Sequence, residues 1–600
     1  MSRKIVDIDW SDHDLEDRRR RIHSFEMYLR DEISLSAFTE AGRAESSIEV
    51  PKQRSYSGRS PVIPCSLADT PCATLGAQDI LDRLNDILRT SYTLPMAPSS
   101  STSIASPVPS SATSVQDQLS LLSILKDCIK KNYDFGTAYA LLRPVWNAVN
   151  LSSIQDDLRR RNRIVDPELP PRRVWDLCSN CVVPSWITCN NGEYYHPTPI
   201  SHAWVDEKDR VNVWTPINGK EWPVPLPKDA DLNLVRIEIL NLAAEDLAEY
   251  RTPHDWTQYA AEYAWLDVLC LRQKEEGGPR EDLRMEEWRL DVPTIGAVYQ
   301  NRKVLIYLNG LGRPLRLKDG DLDSDRSWFR HAWTLQEVGM SCIIAGDTPD
   351  GPLHAQQIDG GNYETVLLTR FHNELNSLER GGSVAIITHM QKHVSTNPVD
   401  RVAGLAFILG PNTLPAYHES ETLEDAWTAL VNAMIPWNHV QLLLTYPRAG
   451  LGSKKWRPTW DQLMQEPLPQ FGCSINAMVD VAHNDEIDED LYFGLCIQKG
   501  YVQGFDTGSV GNQDRHGELV VKAADGIMHT FKIHVTHQLP IPEDTYTLLG
   551  GNLFLTDQWA IGRQLPNQRF EKVSLIATDI VTEIHKHSCL YEGWGEASLS

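Results

Sequence analysis

The residues best suited to chemistry lie in the segment 327–339, which reads SWFRHAWTLQEVG. On a helix this segment carries an apolar stripe of Trp328, Ala332 and Leu335. The adjacent face carries, at spacings of three, four and seven residues, Arg330, Trp333, Thr334 and Glu337. A carboxylate near an indole and a guanidinium could hold a nucleotide sugar and stabilise an oxocarbenium-like centre, as in glycoside cleavage. Equally, Arg330 and Glu337 could be surface charges, each contributing under about 1 kcal/mol to the free energy of folding.

A second polar pair interrupts the apolar run ISHAWV at 200–205. Ser201 and His202 need hydrogen-bond partners if they are buried there. They are therefore either satisfied core groups or groups at the carboxyl edge of a sheet, where α/β sheets bind ligands.

The run AWLDVLCLRQ at 264–273 repeats this pattern with Asp267 in the middle of a predicted strand. An ionised carboxylate in that position costs several kcal/mol unless it is paired. Asp267 could orient a neighbouring Arg, His or backbone amide, or it could contact a ligand, with Arg272 just past the end of the strand.

One cysteine pair has the spacing of a zinc site, and it is followed by two further candidate ligands: Cys178, Cys181, Cys189 and His196. Because no second pair has this spacing, the alternative is a set of reduced, partly buried thiols, and we expect no metal site. The chain also lacks the phosphate-binding loop, the serine nucleophile elbow, the H-E-x-x-H motif and the G-x-G-x-x-G turn between a strand and a helix. These absences remove the main support for ATPase, hydrolase, metalloprotease and dinucleotide-redox functions.

Alternating strands and helices must position these residues, which predicts an α/β sheet. The predicted strands are 200–205, 264–271, 304–308 and 341–345. The predicted helices are 232–248, 281–290, 293–299 and 327–339.

The pattern of apolar residues changes along the chain and predicts five units. Residues 1–115 are mostly disordered, with a possible helix at 80–89. They are followed by a helical collar at 116–172, the α/β unit at 173–346, a helical extension at 347–470 and a mainly β region at 471–600. In the extension we predict helices at 363–378, 399–409 and 423–434. In the β region we predict strands at 492–505, 517–523, 528–535 and 573–585.

Composition restricts the class of protein. The 600 residues carry a formal net charge of −24, which argues against coating of nucleic acid or anionic lipid. No run reaches the roughly 18 apolar residues of a membrane helix, and the amino terminus lacks the apolar core of a signal peptide. Eleven scattered cysteines suit a reducing compartment. We therefore expect a cytoplasmic protein without a membrane span.

Taken together, three ordered motifs resemble the fungal heterokaryon incompatibility (HET) domain family. The resemblance covers about 173–346 and rests on Ser201-His-Ala-Trp204, Trp265-Leu-Asp-Val-Leu-Cys-Leu-Arg-Gln273 with Val298-Tyr299, and Arg330-His-Ala-Trp-Thr-Leu-Gln-Glu337. The segment 399–407 resembles the DRIYALLGL sequence that often follows in this family. Two positions depart from the family pattern: Val205 replaces the usual glycine, and Arg272 replaces a small polar residue.

The resemblance implies a fold similar to Toll/interleukin-receptor (TIR) domains, which are flavodoxin-like sheets, some of which cleave NAD with a glutamate. It also implies a role in self/non-self recognition and programmed cell death. Glu337 then becomes the candidate catalytic carboxylate. The candidate substrate-binding residues are Trp333, Arg330, Asp267, Arg272, Ser201, His202 and Trp204.

We thus expect an α/β protein with a TIR/flavodoxin-like, mostly parallel sheet, a helical extension and a mainly β carboxyl-terminal region. The expected activity is hydrolysis of the nicotinamide-ribose bond, with NAD as substrate and no cofactor. The expected partners are further copies of the chain and an incompatibility partner protein. The alternative is a non-enzymatic HET signalling module that acts by self-association or by binding a partner. In either case the carboxyl-terminal β region could serve as a ligand sensor.

Overall fold

The computed structural model describes most of the chain between residues 33 and 599. The described residues are 33–58, 61–95, 115–143, 146, 170–190, 193–194, 196–249, 262–275, 280–300, 302–338, 341–377, 383–409, 414–468, 479–484, 487–505, 515–523, 526–552, 556–566, 569–578 and 594–599. The protein is mixed α/β, as the sequence predicts, with a six-stranded sheet in which four strands are parallel and a β-rich carboxyl-terminal region. No helix in these residues is long and apolar enough to cross a bilayer.

The sheet that positions the candidate site has six strands within the described residues: β1 (Arg173–Asp176), β2 (Cys181–Pro184), β3 (Thr198–His202), β4 (Tyr263–Leu266), β5 (Lys303–Tyr307) and β6 (Ser341–Ile344). Their order is β6-β5-β3-β4-β1-β2. The four strands β6, β5, β3 and β4 are parallel, and the hairpin β1–β2 adds to β4 in antiparallel fashion. After β3 the chain goes first to β4 on one side and then to β5 on the other. A topological switch point therefore lies between β3 and β5, where open α/β sheets hold ligands.

Helices cover both faces of this sheet. The helix Leu232–Glu249 connects β3 to β4, and its Glu238 accepts a 2.6 Å hydrogen bond from the Tyr307 hydroxyl at the end of β5. On the other face the short helix Ile295–Tyr299 follows the helix Glu281–Asp291, and the Tyr299 ring packs edge-on against Trp265 of β4. Since neighbouring residues of a strand face opposite sides, Ser201 shares the face of Trp265, and His202 shares the face of Tyr307.

Two predicted elements are wrong at the positions that matter most. The strand predicted at 264–271 ends at Leu266, and Asp267 begins a one-turn helix, Asp267–Cys270, in which its carboxylate accepts from the backbone N–H of Val268 at 2.7 Å. Asp267 therefore lies at the end of a strand rather than inside one.

The helix predicted at 327–339 is also wrong. Two short 3-10 turns, Trp328–Arg330 and Ala332–Leu335, replace it, with His331 extended between them. The cause is a partner from the helical extension: the Val394 N–H donates to the Arg330 carbonyl at 2.7 Å, and the Ala332 N–H donates to the Val394 carbonyl at 2.9 Å. These bonds use the backbone groups that a continuous helix would need.

The prediction of disorder for 1–115 is wrong for 33–58, 61–95 and 115, whereas 1–32, 59–60 and 96–114 lie outside the described residues. The strands Ile33–Ser36 and Ser55–Gly58 form an antiparallel pair, with the helix Ala37–Ala41 in the connection between them. The helices that come after the pair are Cys65–Ala68 and Cys72–Leu88. The last of these contains most of the helix predicted at 80–89. Long-range polar contacts fix this segment on the helix Leu232–Glu249: the Gln53 amide donates to Glu238 at 2.8 Å, and Glu40 lies 3.5 Å from Arg236. These partners lie far along the chain, so local composition does not reveal them.

The remaining helices occupy the collar and the extension. The collar contains Val115–Lys130 and Phe135–Leu142. The extension contains Val366–Asn376, Ser383–Gln391, Asp400–Ala406, Leu423–Ala433, Pro436–Thr445 and Trp460–Gln465. Three of these agree approximately with prediction, and the second and the last two were not predicted. Except for Val366–Asn376, these helices contribute buried side chains to one core that also includes residues of the amino-terminal segment and of the six-stranded sheet.

The carboxyl-terminal strands are β7 (Asp480–Asn484), β8 (Glu489–Gln503), β9 (Arg515–Lys522), β10 (Met528–Val535), β11 (Asp544–Asn552), β12 (Thr556–Gln564), β13 (Arg569–Thr578) and β14 (Trp594–Leu599). The antiparallel pairings β8-β9-β10-β13-β12-β11 return to β8 and so form a closed ring. The ring encloses a second apolar core, which includes Val502, Leu519, Leu548 and Ile561. Of the strand predicted at 573–585, residues 579–585 lie outside the described residues.

A buried lysine joins this ring to the helical extension. The ammonium group of Lys572, which is 1% exposed, donates to the carbonyls of Leu443 at 2.7 Å and Tyr446 at 2.6 Å. Four residues after Leu443 the chain has Pro447, which lacks an N–H, so the helix itself cannot supply a donor to the Leu443 carbonyl. Lys572 supplies that donor, and the β ring is therefore attached to the extension through buried polar contacts.

Replacing Lys572 with methionine should lower the free energy of unfolding by about 2–4 kcal/mol, because two buried carbonyls lose their donor. Urea unfolding measures the change. Lys532→Met, on an exposed position of β10, is the matched control and should change stability by less than about 0.5 kcal/mol. Equal stability of the two variants would contradict this attachment.

Candidate functional site

The candidate site lies at the carboxyl edge of the parallel strands. Strand β3 ends with Ser201 and His202, β4 is followed directly by Asp267, and Glu337 follows the second 3-10 turn before β6. The sheet thus brings together four of the residues predicted from the sequence.

Ser201 and Glu337 are joined directly. The Ser201 hydroxyl donates to Glu337 Oε2 at 2.5 Å, and the Ser201 oxygen accepts from the indole N–H of Trp328 at 2.6 Å. Ser201 and Trp328 are each 1% exposed, whereas Glu337 is half-buried. The carboxylate is therefore held from the protein side while part of it remains accessible.

The environment of Glu337 changes its acidity. Burial raises the pKa of Glu337 to about 7, and the negative charge of Asp267 adds to this rise, whereas the Ser201 hydrogen bond and His202 oppose it. A carboxyl group that titrates near neutral pH can exchange a proton under physiological conditions. Glu337 is thus suited to proton transfer or to stabilising a developing cation.

His202 and Asp267 form a second polar pair. His202 Nε2 lies 2.9 Å from Asp267 Oδ1, and its Nδ1 lies 3.2 Å from the Ala203 carbonyl. Burial disfavours the protonated ring, but the charge and hydrogen bond of Asp267, together with the Ala203 carbonyl, raise the pKa of His202. Both ring nitrogens face acceptors, which favours an imidazolium paired with the Asp267 carboxylate.

Trp204 and Trp333 have different surroundings. The Trp204 ring lies 5.3 Å from the His202 ring, and the Arg210 guanidinium lies 5.5 Å from its centre, so Trp204 flanks the site. The Trp333 ring lies 6.4 Å from the ring of Tyr417, whose hydroxyl donates to Asp400 at 2.7 Å. Trp333 is thus part of the contact with the helical extension.

The two predicted arginines pair away from Glu337. Arg330 donates to the Asp323 carbonyl and lies 3.4 Å from the Asp325 carboxylate. Arg272 is buried; its guanidinium lies 5.0 Å from the ring centre of Trp222 and 3.5 Å from the Glu221 carboxylate. The common helical face that was predicted for Arg330 and Glu337 does not form, because the two 3-10 turns aim their side chains differently.

Two cysteines of the zinc alternative, Cys178 and Cys181, are buried free thiols. Burial raises the pKa of Cys178 and Cys181 well above the ordinary value. Within the described ranges no group of three or more His, Cys, Asp or Glu side chains has the arrangement needed to hold a metal ion.

Sequence reasoning missed four residues around Glu337. Trp328 belongs to the apolar stripe predicted from the sequence, yet its indole N–H donates to Ser201. The Tyr299 hydroxyl donates to the Ile200 carbonyl of β3 at 2.9 Å. Burial, together with the charges of His202 and His393, lowers the pKa of His331 to about 4. Gln336 is 2% exposed, and neither polar atom of its amide has a partner among the described residues. Only the presence of donor groups within the 328–337 motif could have indicated Trp328 and Gln336.

Glu337→Gln should change how stability depends on pH. The folded protein holds the Glu337 proton up to about pH 7, whereas the unfolded chain releases it near pH 4.3, roughly the ordinary value. Between these values the folded state binds more protons, so the contribution of Glu337 to stability falls as pH rises.

The glutamine variant should therefore gain stability relative to the wild type between about pH 4.5 and about pH 7.5. Thermal unfolding across this range measures the difference. A difference that stays constant with pH would contradict the shifted titration.

Comparison with known proteins gives no match, whether the chain is compared with family models, with curated proteins or with solved structures.

Proposed function

We propose that this chain is a HET-type effector of fungal self/non-self recognition and programmed cell death, and that Glu337 hydrolyses the nicotinamide-ribose bond of NAD. One observation carries the proposal: a carboxyl group with a pKa of about 7 is held by Ser201 at the carboxyl edge of parallel strands, beside His202 and Asp267. The motifs that resemble the HET family contribute all four of these residues.

The fold supports the proposal at the level of strand order. Numbered along the chain, the parallel strands β3, β4, β5 and β6 take the order 2-1-3-4, which is the order in flavodoxin-like sheets. The sequence resemblance implies a TIR-like sheet of this kind. In such a sheet the switch point next to β3 is the expected ligand site, and Ser201 lies there.

The chemistry suits the charges at this edge. The nicotinamide half of NAD carries a positive charge, and the ribose gains positive charge as the glycosidic bond breaks, so the carboxylates of Glu337 and Asp267 would favour both. The bonding electrons leave with nicotinamide, which departs as a neutral molecule. Water adds to the ribose carbon, and Glu337 takes the proton that water loses.

Incubation with NAD tests this assignment. The wild type should release nicotinamide, and Glu337→Gln should reduce the rate by at least about 100-fold, because the amide can neither carry the charge nor accept the proton. Glu364→Gln is the matched control, since Glu364 is exposed and lies outside the site. Undiminished turnover by the Glu337 variant would refute the catalytic assignment.

The rate should also depend on pH in a defined direction. If the carboxylate is the active form, kcat/KM rises with pH and levels off above about pH 7, since protonated Glu337 is inactive. A profile of NAD cleavage from about pH 5 to about pH 9 measures this. A rate that falls as pH rises through 7 would instead require Glu337 in its protonated form.

A second candidate function is a non-enzymatic signalling module in the cytoplasm that acts by self-association or by binding an incompatibility partner. The placement of the arginines favours it, because Arg330 and Arg272 pair with Asp325 and Glu221 and leave the NAD phosphates without these cations. This function predicts self-association without loss of NAD, and cell killing that Glu337→Gln leaves unchanged.

A further inference from the structure

The hydrogen bonds at Ser201 have a fixed direction. The indole N–H of Trp328 can only donate, so Ser201 Oγ must be the acceptor in their 2.6 Å contact. A serine hydroxyl has a single proton, and the Glu337 carboxylate lies 2.5 Å from the same oxygen. The serine proton is therefore directed to Glu337.

Burial makes this arrangement rigid. Trp328 and Ser201 are each 1% exposed, so water does not compete for the contact. The Trp328 ring packs edge-on against Phe329, at 5.5 Å between centres. Phe329 in turn packs against Phe371 of the helix Val366–Asn376. The indole thus has an apolar support that is independent of Glu337.

We propose that Trp328 is a positioning residue for Glu337 that acts through the Ser201 hydroxyl; its role in catalysis rests on the proposed function. Trp328 occupies one lone pair of the serine oxygen and polarises the hydroxyl, which strengthens its donation to the carboxylate. Ser201 is then a positioning residue rather than a substrate ligand. Trp328 and Ser201 together favour the ionised form of Glu337 and hold its carboxylate in one orientation.

The test measures the titration of Glu337 directly, so that it does not depend on enzymatic activity. Infrared difference spectra between each protein and its Glu337→Gln counterpart report the protonated carboxyl band as a function of pH. Ser201→Ala should raise the midpoint by about 0.5–1 pH unit, equivalent to a roughly 3- to 10-fold higher proton affinity. Trp328→Phe should raise it in the same direction.

The double variant distinguishes a relay from two separate effects. Because Trp328 acts through Ser201, the combination Ser201→Ala/Trp328→Phe should shift the midpoint no further than Ser201→Ala alone. Trp427→Phe is the matched control, since its buried indole donates to the Pro458 carbonyl at 3.0 Å within the helical extension. This control should leave the Glu337 midpoint unchanged.

A measurement on the wild type covers the case in which Trp328→Phe does not fold. With indole nitrogens labelled with ¹⁵N, one indole signal should follow the Glu337 titration, and that response should vanish in Glu337→Gln. An unchanged midpoint in folded Trp328→Phe, fully additive shifts, or the absence of any indole signal that follows Glu337 would each overturn the proposal. Absence of NAD cleavage in the wild type would refute the proposed function alone, since the titrations still report the positioning.

Discussion

The candidate site depends on two backbone hydrogen bonds between Val394 and the segment that precedes Glu337. They join the Val394 N–H to the Arg330 carbonyl and the Val394 carbonyl to the Ala332 N–H, and so divide a helical sequence into two short turns. The helix Asp400–Ala406 reinforces this contact through Gly404, where a Cβ atom would lie 2.8 Å from the Ala332 carbonyl. Only glycine permits so close an approach without a shift of the backbone. The helical extension is thus part of the structure that places Glu337 beside Ser201.

An element can be predicted from the sequence when the residues that determine its structure lie close to it along the chain. The parallel strands β3, β5 and β6 and the helix Leu232–Glu249 have local patterns, and their predicted bounds are close to the observed ones. The polar residues at the strand ends could also be found, because a buried serine or histidine in an apolar run requires an explanation. The shape of 327–339 could not, since it is determined by Val394, which lies in another region of the chain. The order of the amino-terminal segment likewise depends on the distant partners Arg236 and Glu238.

The availability of charged side chains for a ligand also depends on partners that only the folded structure brings together. The chain has an excess of acidic residues, and the composition made any nearby arginine a candidate for binding an anion. In the folded protein Arg272 and Arg330 are already matched by carboxylates or carbonyls, and the buried Arg236 donates to the carbonyls of Leu177, Ile63 and Cys178. Counting charges along a sequence therefore overestimates the cations that remain for a ligand. The acidic edge that results suits a cationic group better than a phosphate.

The contact between Val394 and the 330–332 segment also has a temporal consequence. A ribosome adds roughly 5–20 residues per second, so Glu337 emerges several seconds before Val394 and the helix Asp400–Ala406 are available to it. During that interval the nascent segment lacks the partner that interrupts its helical pattern, and the carboxylate has no fixed position beside Ser201. A chain that ends before Val394 would therefore lack the backbone contact that places Glu337 beside Ser201.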